Sequence, residues 1–257
     1  MDTEPDATPS AHRTANSQRD PSKEKQLRLH HLPSRSQNLF YSLLLFLSPL
    51  SNVVVNALIF ADLGRMAHQT APRLRILDWV LEFSGLLPGI ILALLGTNIV
   101  FALLRHGQRI RRSLLLFGSV SSLYLLLNLI STTYGIFAFK IQSLFLLGIS
   151  AGIYISINTV FLFWYWYFDY PSQIRHLYHP ELTLQIVFPG NAQPQQGKWL
   201  PRFIDYLYLT LMTSNTLGPP ESHLPNGDQA KLIQMLHSVV MLVLLVIFVS
   251  RAINTLT

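Results

Sequence analysis

Five apolar runs, at 39–61, 80–104, 113–139, 141–168 and 230–253, set the solvent in which this chain folds. Each exceeds the roughly 20 residues that a helix rising about 1.5 Å per residue needs to cross a hydrocarbon core about 30 Å thick. Such a core offers no water to bond the backbone, so each run must close its own hydrogen bonds as a helix. The expected fold is all-α, a polytopic membrane helix bundle of about five transmembrane helices. Composition agrees. Half of the residues are hydrophobic and 12% are charged, about half the share usual in soluble domains. There is no cysteine, hence no disulfide framework and no thiolate metal site.

Residues 1–38 differ from the rest. Asp2, Glu4, Asp6, Asp20 and Glu24 alternate with Arg13, Arg19, Lys23, Lys25, Arg28 and Arg35 among Pro, Ser and Gln. With almost nothing to bury, this stretch reads as a disordered N-terminal tail. It has neither the short apolar region of a signal peptide nor the acid-poor composition of a transit peptide. A four-helix transmembrane region follows at 39–168, then a polar loop at 169–202 and a last unit at 203–257. "RHGQRIRR", Arg105 to Arg112, separates the second and third spans and is basic enough to meet anionic head groups. Lys140 and Gln142 leave only a tight turn between the third and fourth. Placing the N-terminus in the cytoplasm collects the tail, this cluster, Arg175, Lys198, Arg202 and Lys231 on one side. Arg65, Arg73, Arg75, Lys140 and Arg251 fall on the other, so the positive-inside rule favours that orientation.

Polar residues inside the spans are few. Asn52 and Asn56 share a face of the first span, and Asn98, Asn128 and Asn158 stand singly. Amides in hydrocarbon bond across helices, and "GISAG", Gly148 to Gly152, allows close backbone approach. "FWYWYF", 163–168, reads as an aromatic belt at the head groups, ending the fourth helix before Asp169 and Pro171. Asp62, Asp78, Glu82, Asp169, Asp205 and Glu221 all stand near span ends, not at a helix centre where an ionisable group marks an ion or proton relay. His176, His179 and Glu181 are the nearest approach to a metal set, and Pro180 breaks their helical spacing. No metal or other cofactor is expected. No nucleophile elbow, zinc-protease motif or phosphate loop occurs, so the chain is not read as an enzyme.

The segment 203–218 is too short to span, since about 15 helical residues reach only about 23 Å. It is expected to be a short re-entrant helix before the last span. Asp205 suits the positive end of its dipole, and Pro219 with Pro220 forces an exit. Its far end is polar, with Thr210, Thr213, Ser214, Asn215 and Thr216.

Several stretches carry a resemblance: "FWYW" with Asp169, "VFP" at 187–189, "WLPRFIDYLYL" at 199–209, Pro219 and Glu221, "AKLIQMLHS" at 230–238 and "RAINTL" at 251–256. From Phe163 to Leu256 the chain resembles a bacterial family of uncharacterised integral membrane proteins. The C-terminal half of that family resembles the pore module of two-helix ion channels. The resemblance implies a bacterial plasma membrane and a channel-like pore for small cations. Thr213, Ser214, Asn215, Thr216 and Gly218 would stand at the filter and Glu221 at its mouth. This stretch departs from T-V-G-Y-G, so potassium selectivity is not implied, and Gly218 is its one glycine with a permissive backbone. On the last span Gln234, His237 and Ser238 would line the entrance, on a stripe that continues through Leu244 and Arg251. One re-entrant segment cannot encircle an ion path, so a pore requires a homo-oligomer, a tetramer by analogy. The alternative is a non-conducting membrane scaffold or interaction protein. Lipid is the expected surrounding, and no nucleic-acid partner is expected.

Overall fold

The computed structural model describes residues 34–63, 75–104, 107–138, 143–192 and 199–256. Residues 1–33 of the expected tail and the turn at Lys140 and Gln142 lie outside these residues, whereas 35–38, also assigned to the tail, already belong to a helix. Six helices carry the fold: α1 (Arg35–Leu63), α2 (Arg75–Leu103), α3 (Gly107–Ala138), α4 (Ser143–Tyr178), α5 (Phe203–Thr216) and α6 (Asp228–Leu256). Between them β1 (Ile186–Val187) pairs antiparallel with β2 (Leu224–Pro225). Five helices, all but α5, are long and apolar enough to cross a membrane. The chain is an all-α polytopic membrane bundle with a short re-entrant helix before its last span.

α1 lies against α4, and both lie against α3. Gly152 permits the first contact, because a Cβ there would stand 2.5 Å from Val55 Cγ2. Instead the Ser51 hydroxyl donates to the Gly152 carbonyl at 2.8 Å. Ser156 donates to the Ser48 carbonyl and to Asn52 Oδ1 at 3.1 and 2.9 Å. The small face and one of the amides therefore join α1 to α4, as their spacing suggests. Tyr41 stacks on Trp166 at 4.1 Å, and Arg111 lies 5.3 Å over the Tyr167 ring. These contacts gather the start of α1, the start of α3 and the end of α4 at one end of the bundle.

Two expectations about α4 are corrected. The helix does not stop before Pro171 but continues to Tyr178. Proline lacks an N–H to give the carbonyl four residues back, which weakens a helix without necessarily ending it. Here flanking contacts hold the helix together, since Ser172 donates to the Asp169 carbonyl at 2.8 Å. Nor is "FWYWYF" a lipid-facing belt: Phe163, Tyr165 and Trp166 are buried. Trp164 donates its indole N–H to Ser122 at 2.9 Å, and Phe163 occupies the space that a Cβ on Gly118 would need. Rings of this size bury a large apolar area when neighbouring helices pack against them.

Candidate functional site

Asp169 organises the end of the bundle. Its side chain is wholly buried and its carboxylate accepts from Tyr206 Oη at 2.8 Å, the Ile186 N–H at 2.9 Å, Gln173 Nε2 at 3.1 Å and Ser172 Oγ at 3.3 Å. Gln173 also donates to the Ile186 carbonyl at 2.7 Å and accepts from Asn191 at 3.1 Å. One carboxyl group thus binds α4, the β1 loop and α5 together, and so polar a group is tolerable at this burial only with such company. Tyr206 donates to it from α5, which is not among the five spans. Sequence reading singled out Asp169 but missed Tyr206, whose separation of 37 residues matches no local spacing.

From there α5 descends antiparallel to α4. Phe203 meets Phe40 at 5.0 Å, Tyr206 meets Asp169, Ser214 meets Asn158, and Asn215 meets Tyr154. Asp205 caps the start by accepting the Arg202 N–H at 2.6 Å, as its position suggests. The chain then turns back. The Gly227 N–H reaches the Gln185 carbonyl at 3.0 Å, and α6 begins at Asp228, so the segment enters and leaves by the same end. Its turn is not made by Gly218: the left-handed residue is Leu217, at φ 56°.

The polar tip is closed by the chain's own helices. Ser214 Oγ donates to Asn158 Oδ1 at 2.7 Å and lies 2.9 Å from His237 Nε2. Asn158 gives its N–H to the Tyr154 carbonyl at 2.8 Å, which fixes which amide atom faces Ser214. Ser214 has one proton, so His237 must carry its proton on Nε2 and donate to Ser214. Nδ1 then accepts from Tyr165 Oη at 3.3 Å, and the ring stacks on Phe161 at 4.2 Å. A serine nucleophile needs the opposite polarity, with imidazole accepting its proton. The pair joins α4, α5 and α6.

The residues expected to line a pore divide into two groups. Thr213, Ser214, Gln234 and His237 are buried within one chain, and Ser238 is half-buried. Thr213 gives its hydroxyl to the Leu209 carbonyl at 2.7 Å. Asn215, Thr216 and Glu221 are exposed and Gly218 is half-buried. The stripe His237, Leu244 and Arg251 does share a face, and its first two members look into the protein. The outward face of α6 carries Leu232, Met235, Leu236, Val239, Val243 and Val246. His176 and His179 are engaged separately, by the Leu182 carbonyl at 2.7 Å and by Glu181 at 3.1 Å.

Beneath the tip lies a cavity of about 670 Å³ between α4 and α6. It lies where α5 ends beside Tyr154 of α4 and His237 of α6 while both long helices continue. Leu147, Ala151 and Ile155 form one wall, Leu244, Leu245 and Phe248 the other, and Ser214, Asn215 and Leu217 the roof. A contrasting feature runs among α1, α2 and α3. Ser48 Oγ, Asn52 Nδ2, both amide atoms of Asn98, Ser113 Oγ, Ser121 Oγ, Asn128 Oδ1 and Thr132 Oγ1 are buried with no hydrogen-bond partner among the described residues. Compared with known protein families, curated proteins and solved structures, the chain matches none.

Proposed function

We propose that this integral membrane protein is non-conducting and acts by binding, with α5 serving as a wedge that opens a lateral cavity. The observation that carries this reading is the closed tip. Ser214 is buried and held by Asn158 and His237 of the same chain, which turns its hydroxyl into the bundle instead of toward an ion path. The apolar outward face of α6 supports it further, because a pore shared between copies would need a polar face there. Purified protein reconstituted in liposomes is expected to pass no more sodium or potassium than empty liposomes. Flux that rises with protein density would overturn the reading.

A second reading, an oligomeric pore for small cations, is favoured by the exposure of Asn215, Thr216 and Glu221 around a re-entrant turn and by the resemblance to two-helix channel modules. It requires several copies around an axis. It also requires that Glu221→Gln weaken cation preference and Asn215→Leu block flux, with both variants still folded.

A further inference from the structure

We propose that the cavity beneath α5 binds a neutral long-chain alcohol, its chain lying between α4 and α6 and its hydroxyl meeting the tip of α5. The walls decide the chain. Both long helices are membrane spans, and Leu147 and Leu245 at the rim are exposed. The cavity therefore opens sideways into the bilayer, where hydrocarbon chains are the medium at its mouth. Its volume falls in the range of small-molecule sites, about 300–1,000 Å³, which are mostly apolar with a few convergent polar groups.

The roof decides the head. Asn215 accepts the Tyr154 hydroxyl at 3.1 Å through Oδ1, so its amide N–H groups remain as donors at the cavity edge. Beside them stands the last turn of α5, whose final carbonyls have no helical partner. No backbone N–H among the described residues beyond the helix turns back to them. Donors and acceptors together suit a hydroxyl, which both gives and accepts. A carboxylate would meet the negative end of the helix dipole, and any full charge would be expensive at this depth. The ligand class rests on the binding reading above, while the site itself does not depend on whether ions pass.

The test uses the full chain in phosphatidylcholine liposomes with three photoreactive diazirine probes: hexadecanol, its methyl ether, and phosphatidylcholine. The alcohol is expected to label peptides 147–155 and 241–248 and to be displaced by unlabelled hexadecanol. The ether, which cannot donate, should label about tenfold less, the factor expected for losing one hydrogen bond at a desolvated site. Ala151→Trp, or Leu245→Trp should the first fail to fold, fills the cavity and should abolish this labelling. Asn215→Leu should reduce alcohol labelling to the level of the ether. Equal labelling by all three probes, labelling of the outer face of α6 as strong as that of the cavity, or no labelling would overturn the proposal. Cation flux in the same liposomes is read separately. Flux with cavity labelling sinks the non-conducting reading alone, and labelling failure without flux sinks the alcohol site alone.

Discussion

Around α5, Asp169 receives donors from four residues and Ser214 bridges two helices, whereas Asn98, buried to the same degree among α1–α3, receives none from the described residues. The contrast has exceptions, since Trp166 Nε1 and Gln234 Nε2 also have no partner among the described residues, but its direction is clear. A helix of 14 residues is marginal by itself and cannot bury enough surface to fix its own position. Directional hydrogen bonds must set its depth and rotation. α1, α2 and α3, at 29, 29 and 32 residues, have far more length over which to pack against one another and can carry polar groups that contribute little. Length and specific bonding substitute for each other in the two regions.

Removing the carboxylate should break the C-terminal region most severely. Asp169→Leu leaves the Tyr206, Gln173 and Ile186 donors buried without an acceptor and is expected to cost about 3–4 kcal/mol, read by reversible unfolding in mild detergent. Loss of α5 docking should appear as new protease cleavage within 203–216. Unchanged stability would show that apolar packing alone seats the helix.

The sharpest comparison pairs two asparagines. Asn158→Leu should destabilise by about 2 kcal/mol, because Ser214 loses the acceptor for its hydroxyl and with it the order of its contact with His237. Asn98→Leu should be neutral or stabilise by about 1 kcal/mol, since a dry unpaired amide is a cost. If both substitutions destabilise equally, the α1–α3 groups are satisfied by internal water and the contrast fails.

Smaller effects refine the junction at Ser214. Ser214→Ala should cost about 1 kcal/mol in unfolding free energy. The parent protein should not be labelled at Ser214 by a fluorophosphonate, whose reaction requires a serine proton taken by imidazole; stoichiometric labelling would reverse the assigned polarity. Leu217→Gly should stabilise by up to about 1 kcal/mol, because a branched side chain at φ 56° pays a left-handed cost that glycine avoids. A loss instead would mean that the leucine's contacts at the cavity roof outweigh its backbone strain.

The five spans, the short re-entrant helix, its acidic start and the close approach at Gly152 were legible in the residues alone. These rest on run length, local dipole chemistry, proline and residue size, all of which act within a few positions along the chain. Tertiary structure decided the rest. Hydropathy could not say that "FWYWYF" faces protein, because burial in lipid and burial in a bundle are equally apolar. It could not orient Thr213, Ser214 and His237 either: a polar tip reads alike whether it meets water or partners 56 and 23 residues away, as Ser214 does. Pro171 remains helical because its neighbours hold it, and Asp169 is an anchor because Tyr206 and Ile186 arrive from distant segments. The cavity has no residue signature of its own, since it is the space left where one helix ends between two that continue.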